Sequence, residues 1–269
     1  MLSRLFTNQL QLGLAQAAAA AILAFAVVIL ARRRNIHLES ETAIALVRGL
    51  VQIIAVGSAL VLLLKAPRWT GAFLLLAMIA AAGATSSRRA KGLPGSFEVS
   101  TVSILCGAGS VIALMTSLGV INTAITALIP VGSMLIANAM NTNGLALNRF
   151  RSEVLAHVGE IETALSLGAD PRQSLAPYVQ ASFEASLIPA IDNLRSLGIV
   201  WIPGLMAGML LSGSRPIYAA IYQFVVLSMI FASSGITSLV STMLIRTHAF
   251  TAAEQLLLRP GTAQAPARS

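Results

Sequence analysis

The chain has 269 residues, 56% of them hydrophobic and 10% charged, with a formal net charge of +8. Apolar runs long enough for an α-helix to cross about 30 Å of hydrocarbon recur along it, which excludes an ordinary soluble domain and predicts an all-α, polytopic membrane protein. The basic residues collect in short segments beside those runs, where membrane topology accounts for them, so the expected partner is the lipid bilayer and no nucleic acid is expected.

In chain order about seven transmembrane helices are expected: Leu10 to Ala31, Ala43 to Leu64, Trp69 to Thr85, Val99 to Val120, Ala124 to Leu147, a kinked span ending near Leu211, and Ile217 to Ile245. The first has its Ala-rich part before its apolar core and is followed by Arg32, Arg33 and Arg34, a stop-transfer pattern, so it reads as a retained span rather than a cleaved signal. An outside amino terminus gathers Arg32 to Arg34, Arg88, Arg89, Lys91, Arg149, Arg151, Arg172, Arg195, Arg246, Arg259 and Arg268 on the cytoplasmic face. Only Arg4, Lys65, Arg68 and Arg215 then lie outside, which predicts amino terminus out and carboxyl terminus in. No internal repeat stands out, and residues 1–269 read as a single transmembrane domain with a small, polar tail over 259–269 that is expected to lack structure.

Polar residues inside the spans mark candidate substrate contacts or helix clamps. Arg48 and Gln52 lie one turn apart on a face of the second span, and two such groups should point into protein or a wet cavity. The fifth span carries Pro130, Ser133, Asn138, Asn141, Thr142 and Asn143 with Met134 and Met140 interleaved. Met134, Asn138 and Asn141 share one face at four- and three-residue spacing. Lining a path and bonding to neighbouring helices are both open readings of these groups. Asp192 and Arg195 are spaced to pair, and Gly204 and Gly208 are spaced for close helix packing. Cys106, the single cysteine, reads as a buried small hydrophobe. His37, His157 and His248 are far apart, so no metal-ligand cluster is visible and any metal site is unknown.

One stretch is too polar for a span. From about Asn148 to Leu167, Phe150, Val154, Leu155, Val158, Ile161, Ala164 and Leu165 recur at helical spacing, with Arg151, Glu153, Glu160 and Glu162 mostly elsewhere. Gly168 suits a helix C-terminal cap, and Asp170 before Pro171 caps a second helix, Pro171 to Ser182. The expectation is a cytoplasmic helix-turn-helix elbow over about 148–182; a helix lying on the bilayer surface is the other reading.

"ETALSLG", Glu162 to Gly168, resembles the first half of the loop of many ABC-transporter permeases: Glu-Ala-Ala, three residues, Gly. The second half of that pattern is not matched at its usual spacing, the nearest suitable proline being Pro189. Over most of its length the chain is similar to the FetB (YbbM) permease family, which includes bacterial iron exporters and plant aluminium-tolerance permeases. "ALVRGLVQ", "PVGSMLIANAMNTNGLALNRFRSEV", "ALSLGADP", "LIPAIDNLRSLGIVWIPGLMAGMLLSGSRPIYAAIYQ" and "FTAAEQLL" carry the resemblance in order.

That resemblance implies the permease subunit of an ABC transporter exporting a metal ion or metal-linked substrate from a bacterial inner membrane. It implies a permease homodimer with two copies of a separate cytoplasmic, FetA-like ATPase, which would bind the ATP and Mg, and no enzymatic activity or cofactor in this chain. Glu160, Glu162, Ala164, Leu167, Gly168, Ala169 and Asp170 would then be the ATPase-coupling residues. The residues agree in one respect: the chain has no G-x-x-x-x-G-K-[ST] phosphate loop. A proton-coupled secondary transporter is the rival, and it usually needs an ionisable group in the membrane interior. The central spans hold no Asp, Glu, Lys or His, and Arg48 is the only charge inside the first five. A membrane scaffold without transport is the third reading.

Overall fold

The computed structural model describes residues 9–34, 39–63, 67, 69–90, 92–251 and 255–258. The tail 259–269 and the sequence positions Arg4, His37, Lys65, Arg68 and Lys91 lie outside the described residues. The protein is all-helical, and among the described residues the only β pairing is two isolated bridges. The chain divides into two compact units, Met1–Ala66 and Pro67–Ser269.

The first unit is α1 (Gln9–Arg32) and α2 (Glu39–Leu63). Ala17, Ala20 and Ala21 of α1 face Ala45, Leu46, Gly49, Leu50 and Ile53 of α2 across a shallow apolar cleft. Ile22, Leu23, Val27, Val51 and Ile53 remain largely exposed, as they can when the surrounding solvent is hydrocarbon.

The second unit holds α3 (Trp69–Arg89), a span made of α4 (Ser96–Ile104), a π-helical turn (Leu105–Gly109) and α5 (Ser110–Ser117), and then α6 (Ile125–Ala156). It continues with α7 (Val158–Ser166), α8 (Pro171–Ser174), α9 (Ala176–Ser196), α10 (Gly204–Leu211) and α11 (Pro216–Thr247). Among the described residues five helices are long and apolar enough to cross a membrane: α1, α3, the α4–π–α5 span, α6 and α11, with a shorter apolar stretch at Thr42–Ser58. At about 1.5 Å per residue, the 32-residue α6 and α11 are each about 48 Å long and overshoot the hydrocarbon core.

The structure departs from the expected boundaries in three places. The fifth span continues without a break to Ala156, so the expected helix from Asn148 to Leu167 is the end of α6 plus the separate α7, broken at His157. The expected helix from Pro171 to Ser182 is the one-turn α8 followed by α9, which runs on through Pro189 to Ser196. The kinked sixth span is divided into α9 and α10 around residues 197–203. Pro203 stands at the N-cap of α10, where its fixed φ and missing N–H cost nothing. Gly204 and Gly208, spaced for close packing, face open space within this chain, while Asp192 and Arg195 do pair at 4.0 Å.

Two apolar clusters hold this unit together. One, at membrane depth, joins α3, the π-containing span, α6 and α11 through Leu75, Ile104, Ile112, Leu135, Ile136, Val226 and Ile230. The other sits at the arginine-rich end, where Leu147, Phe150, Val154, Ile161, Leu175 and Ile245 are buried with Leu256 and Leu258 of the chain after α11. A backbone pairing of Thr251 with Gln255 and of Leu257 with Ala249 folds that last segment back onto the cluster.

Candidate functional site

The elbow is built on the second cluster. Val154 at the end of α6, Ile161 of α7 and Leu175 before α9 turn inward, leaving the polar faces outward. α7 ends in a Schellman motif: Gly168 N–H donates to the Leu165 carbonyl and Ala169 N–H to the Ala164 carbonyl, each at 3.0 Å. Gly168 has φ +84°, a conformation that costs a residue with a Cβ about 1–2 kcal/mol. Asp170 Oδ1 accepts from the Arg172 N–H at 2.6 Å and Pro171 opens the next turn, so one short sequence stops one helix and starts another.

The tip between them is Leu167, 85% exposed beside exposed Gly168 and half-buried Ala169. Glu160 and Glu162 are exposed on α7 and Ala164 is half-buried. The seven sequence-predicted coupling residues therefore run along α7 from its first turn into the turn that follows it. At the base of the elbow Glu153 meets Arg149 at 2.6 Å and His157 Nδ1 at 3.7 Å, and the His157 ring stacks on Tyr178 with centroids 4.9 Å apart. The Tyr178 hydroxyl donates to Glu160 Oε2 at 3.2 Å; burial first, then the Glu160 charge and hydrogen bond, push its phenol above the ordinary value.

The candidate path residues are divided between the two units, Met134, Asn138 and Asn141 on α6 and Arg48 and Gln52 on α2. Met134 and Asn138 are half-buried on α6, and the Asn138 side-chain N–H donates to the Met134 carbonyl at 2.8 Å, within its own helix. Asn141 is exposed and accepts from Arg89 Nη1 at 3.3 Å. Arg48 and Gln52, expected to point into protein or a wet cavity, are exposed on α2 of the first unit. The buried amide of the fifth span is Asn143 instead: its Nδ2 donates to Ser86 Oγ at 2.7 Å and Ser100 Oγ at 2.9 Å, tying α6 to α3 and α4. Among the described residues no three of His, Cys, Asp and Glu gather in a way that could hold a metal ion. Cys106, expected to be buried, is exposed on the π-helical turn.

Residues 14–250 match the family described as "Uncharacterised protein family (UPF0014)". The chain belongs to the UPF0014 family. It is 34% identical over 254 residues to "UPF0014 membrane protein STAR2" of Oryza sativa subsp. japonica, covering 93% of this chain and 88% of that one. It is 32% identical to "Protein ALUMINUM SENSITIVE 3" of Arabidopsis thaliana (91% and 90% covered). It is 27% identical to "Probable iron export permease protein FetB" of Escherichia coli K12 (90% and 93% covered). No solved structure matches the chain. The resemblance to the FetB family drawn from the sequence is thereby confirmed, and the UPF0014 match takes in both the elbow and the hydroxyl-rich α11.

On α11 lie the residues that sequence reasoning passed over. Ser233, Ser234, Thr237, Ser238, Ser241 and Thr242 are all buried in the bundle. Their spacing of three and four was a readable signal that these hydroxyls face neighbouring helices.

Proposed function

We propose that this UPF0014 protein is the membrane permease of an ATP-driven ABC exporter, a homodimer that works with two copies of a separate, FetA-like cytoplasmic ATPase in a bacterial inner membrane. The partner would bind ATP and Mg; this chain would supply the path and the coupling elbow. The elbow carries the reading. An exposed leucine on a capped turn, held by a packed aliphatic base at the end of a 32-residue helix, is a rigid knob suited to a cleft in a soluble partner. Glu160, Glu162, Ala164, Leu167, Gly168, Ala169 and Asp170 would form that contact.

The cargo is proposed to be a metal ion, with iron suggested by the name of the Escherichia coli relative, or a metal-linked substrate. The buried polar groups of the spans are hydroxyls and amides, which suit an ion that keeps a ligand shell better than a bare trivalent ion that prefers carboxylate oxygen.

The test is Gly168→Val in the tagged full-length chain, purified with its associated proteins. The wild-type complex is expected to contain a chain with a phosphate-loop sequence and to hydrolyse MgATP. The variant, with its helix stop lost, is expected to lose that hydrolysis or the partner itself. A complex with no such chain, or hydrolysis unchanged by Gly168→Val, would overturn the reading.

A further inference from the structure

A seam of unpartnered hydroxyls runs between the π-containing span and α11. Elsewhere in the bundle Ser and Thr side chains bond back to their own helix: Thr85 to the Ala81 carbonyl at 2.8 Å, Thr101 to Phe97 at 2.9 Å, Ser228 to Phe224 at 2.9 Å and Thr242 to Ser238 at 2.8 Å. Ser103 on α4 and Ser233, Ser234, Thr237 and Ser241 on α11 are each 0% exposed, and none of their hydroxyls has a partner among the described residues. The Oδ1 atom of Asn143, which clamps Ser100 one turn from Ser103, is likewise buried and unpartnered. A buried hydroxyl left unsatisfied costs about 1–3 kcal/mol, so five in one seam is not what tight packing alone would select.

Position along the membrane axis adds a second observation. Gly95, just before α4, abuts His248 at the end of α11, and Gly107 of the π turn abuts Thr237 and Ser233, so the two helices run antiparallel. The unpartnered groups therefore extend from near the arginine-rich end, where Asn143, Ser86 and Ser100 meet, to the π turn at mid-span. There the seam is shut: a Cβ on Gly107 would collide with Thr237 Oγ1 and lie 2.6 Å from the Ser233 carbonyl oxygen. Beyond it the same helices bury Val111 and Ile112, and Val226, Leu227, Met229 and Ile230. Polar burial resumes at the Thr116 hydroxyl of α5 and at Gln223, 1% exposed, with none of these side-chain polar atoms partnered among the described residues. π turns within α-helices are frequent at functional sites, and this one sits where the seam stops.

We infer that this seam is the closed inner half of the transport path, opening from the arginine-rich end to a gate formed by Gly107 against Thr237 and Ser233. The inference rests on the permease reading and gives it a route: not the Met134–Asn138–Asn141 face of α6, but the facing sides of α4 and α11. Its lining is neutral oxygen, with no carboxylate, imidazole or thiolate among the seam residues. It recognises hydrogen-bonding surfaces, and so fits an ion that keeps its hydration or chelating shell. On opening, the hydroxyls gain water or cargo in place of the partners they lack.

The experiment places single cysteines by Ser103→Cys, Thr237→Cys and Ser241→Cys in the full-length chain carrying Cys106→Ala. The probe is a membrane-impermeant trimethylammonium methanethiosulfonate, presented to the elbow side of sealed vesicles. Thr237→Cys, at the gate, is expected to react roughly tenfold or more faster than Ile230→Cys beyond it, and adding Ser241→Val, between Thr237 and the arginine-rich end, is expected to slow it by a similar factor because an apolar lining excludes water. Unaltered gel-filtration elution checks that each variant is assembled. Seam cysteines no faster than Ile230→Cys, with and without MgATP, or a Thr237→Cys rate unchanged by Ser241→Val, would make the seam dry helix packing and overturn the inference. The two readings fail separately. Reactive seam cysteines in a protein with no ATPase partner remove only the ATP-driven reading, whereas an elbow-coupled ATPase above an unreactive seam removes only this path.

Discussion

The two ends of α6 and α11 pack by different rules. At the arginine-rich end, α6 buries Leu147, Phe150 and Val154 against Ile161, Leu175, Ile245 and Leu256, a cluster of large side chains like that of any soluble domain. At membrane depth α11 turns six small hydroxyl residues inward, Gly107 lets it approach the π-containing span, and large side chains such as Phe224 and Leu239 face out. The difference follows from the solvent. In water, removing apolar area is worth about 25 cal/mol per Å², so large aliphatic and aromatic groups go inside. In hydrocarbon that gain is absent between helices, so close contact of small residues carries more of the packing, beside aliphatic groups such as Val226 and Ile230.

The largest test of this contrast is Phe150→Ala, which empties a fully buried site in the water-facing cluster. A loss of about 3–5 kcal/mol is expected. Hydrogen exchange in detergent should show it as lost protection across α7, α8 and the start of α9, with the amides of the π turn and the middle of α11 unaffected. Loss spread evenly over the bundle would mean that the two ends are one cooperative unit and that the contrast has no energetic meaning.

How much of this was legible in the sequence divides along the same line. Spans were readable because length and apolarity are their own signal: Trp69, Ser96, Ile125 and Pro216 open helices within a few residues of the expected starts. The turn at Gly168, Asp170 and Pro171 was readable because each residue type is tied to a backbone conformation. The break at His157 was not, since apolar residues at helical spacing run straight through it and the nearby Gly159 lies inside α7 rather than at a helix end. It becomes evident only when Val154 and Ile161 are both seen to enter one cluster. Helical spacing could not tell that Asn138 bonds to its own helix while Asn143 reaches two others.

Asn143 gives the intermediate test. In the membrane, removing a polar clamp costs about 0.6 kcal/mol on average and up to about 1.7, because the separated helices also find partners. Asn143→Leu should therefore lower thermal stability modestly, and a double-mutant cycle with Ser86→Ala should return a coupling in that range. A cost above about 3 kcal/mol, the level at which breaking a buried charge pair in a soluble protein lies, would show that this part of the bundle behaves as a water-facing core.

The smallest effect belongs to the elbow and asks whether its electrostatics are those of a surface in water. Burial first, and then Glu160, hold the Tyr178 phenol above its ordinary value of 10.0, with Glu153 adding to the charge effect. A phenol whose value is raised on folding contributes stability that is present below that ordinary value and lost as pH rises through the folded one. Glu160→Gln removes the charge but keeps an oxygen that can accept the hydrogen bond, so the phenolate absorbance that Tyr178→Phe eliminates should appear at lower pH in Glu160→Gln, though still above the ordinary value because burial persists. Raising salt should move the wild type the same way and leave Glu160→Gln nearly unchanged, since exposed charges are screened within about 10 Å at 0.1 M. A salt-insensitive Tyr178 would mean that the Glu160 side of the elbow is shielded from water, and the knob presented to a soluble partner would then have to be the Leu167 tip alone.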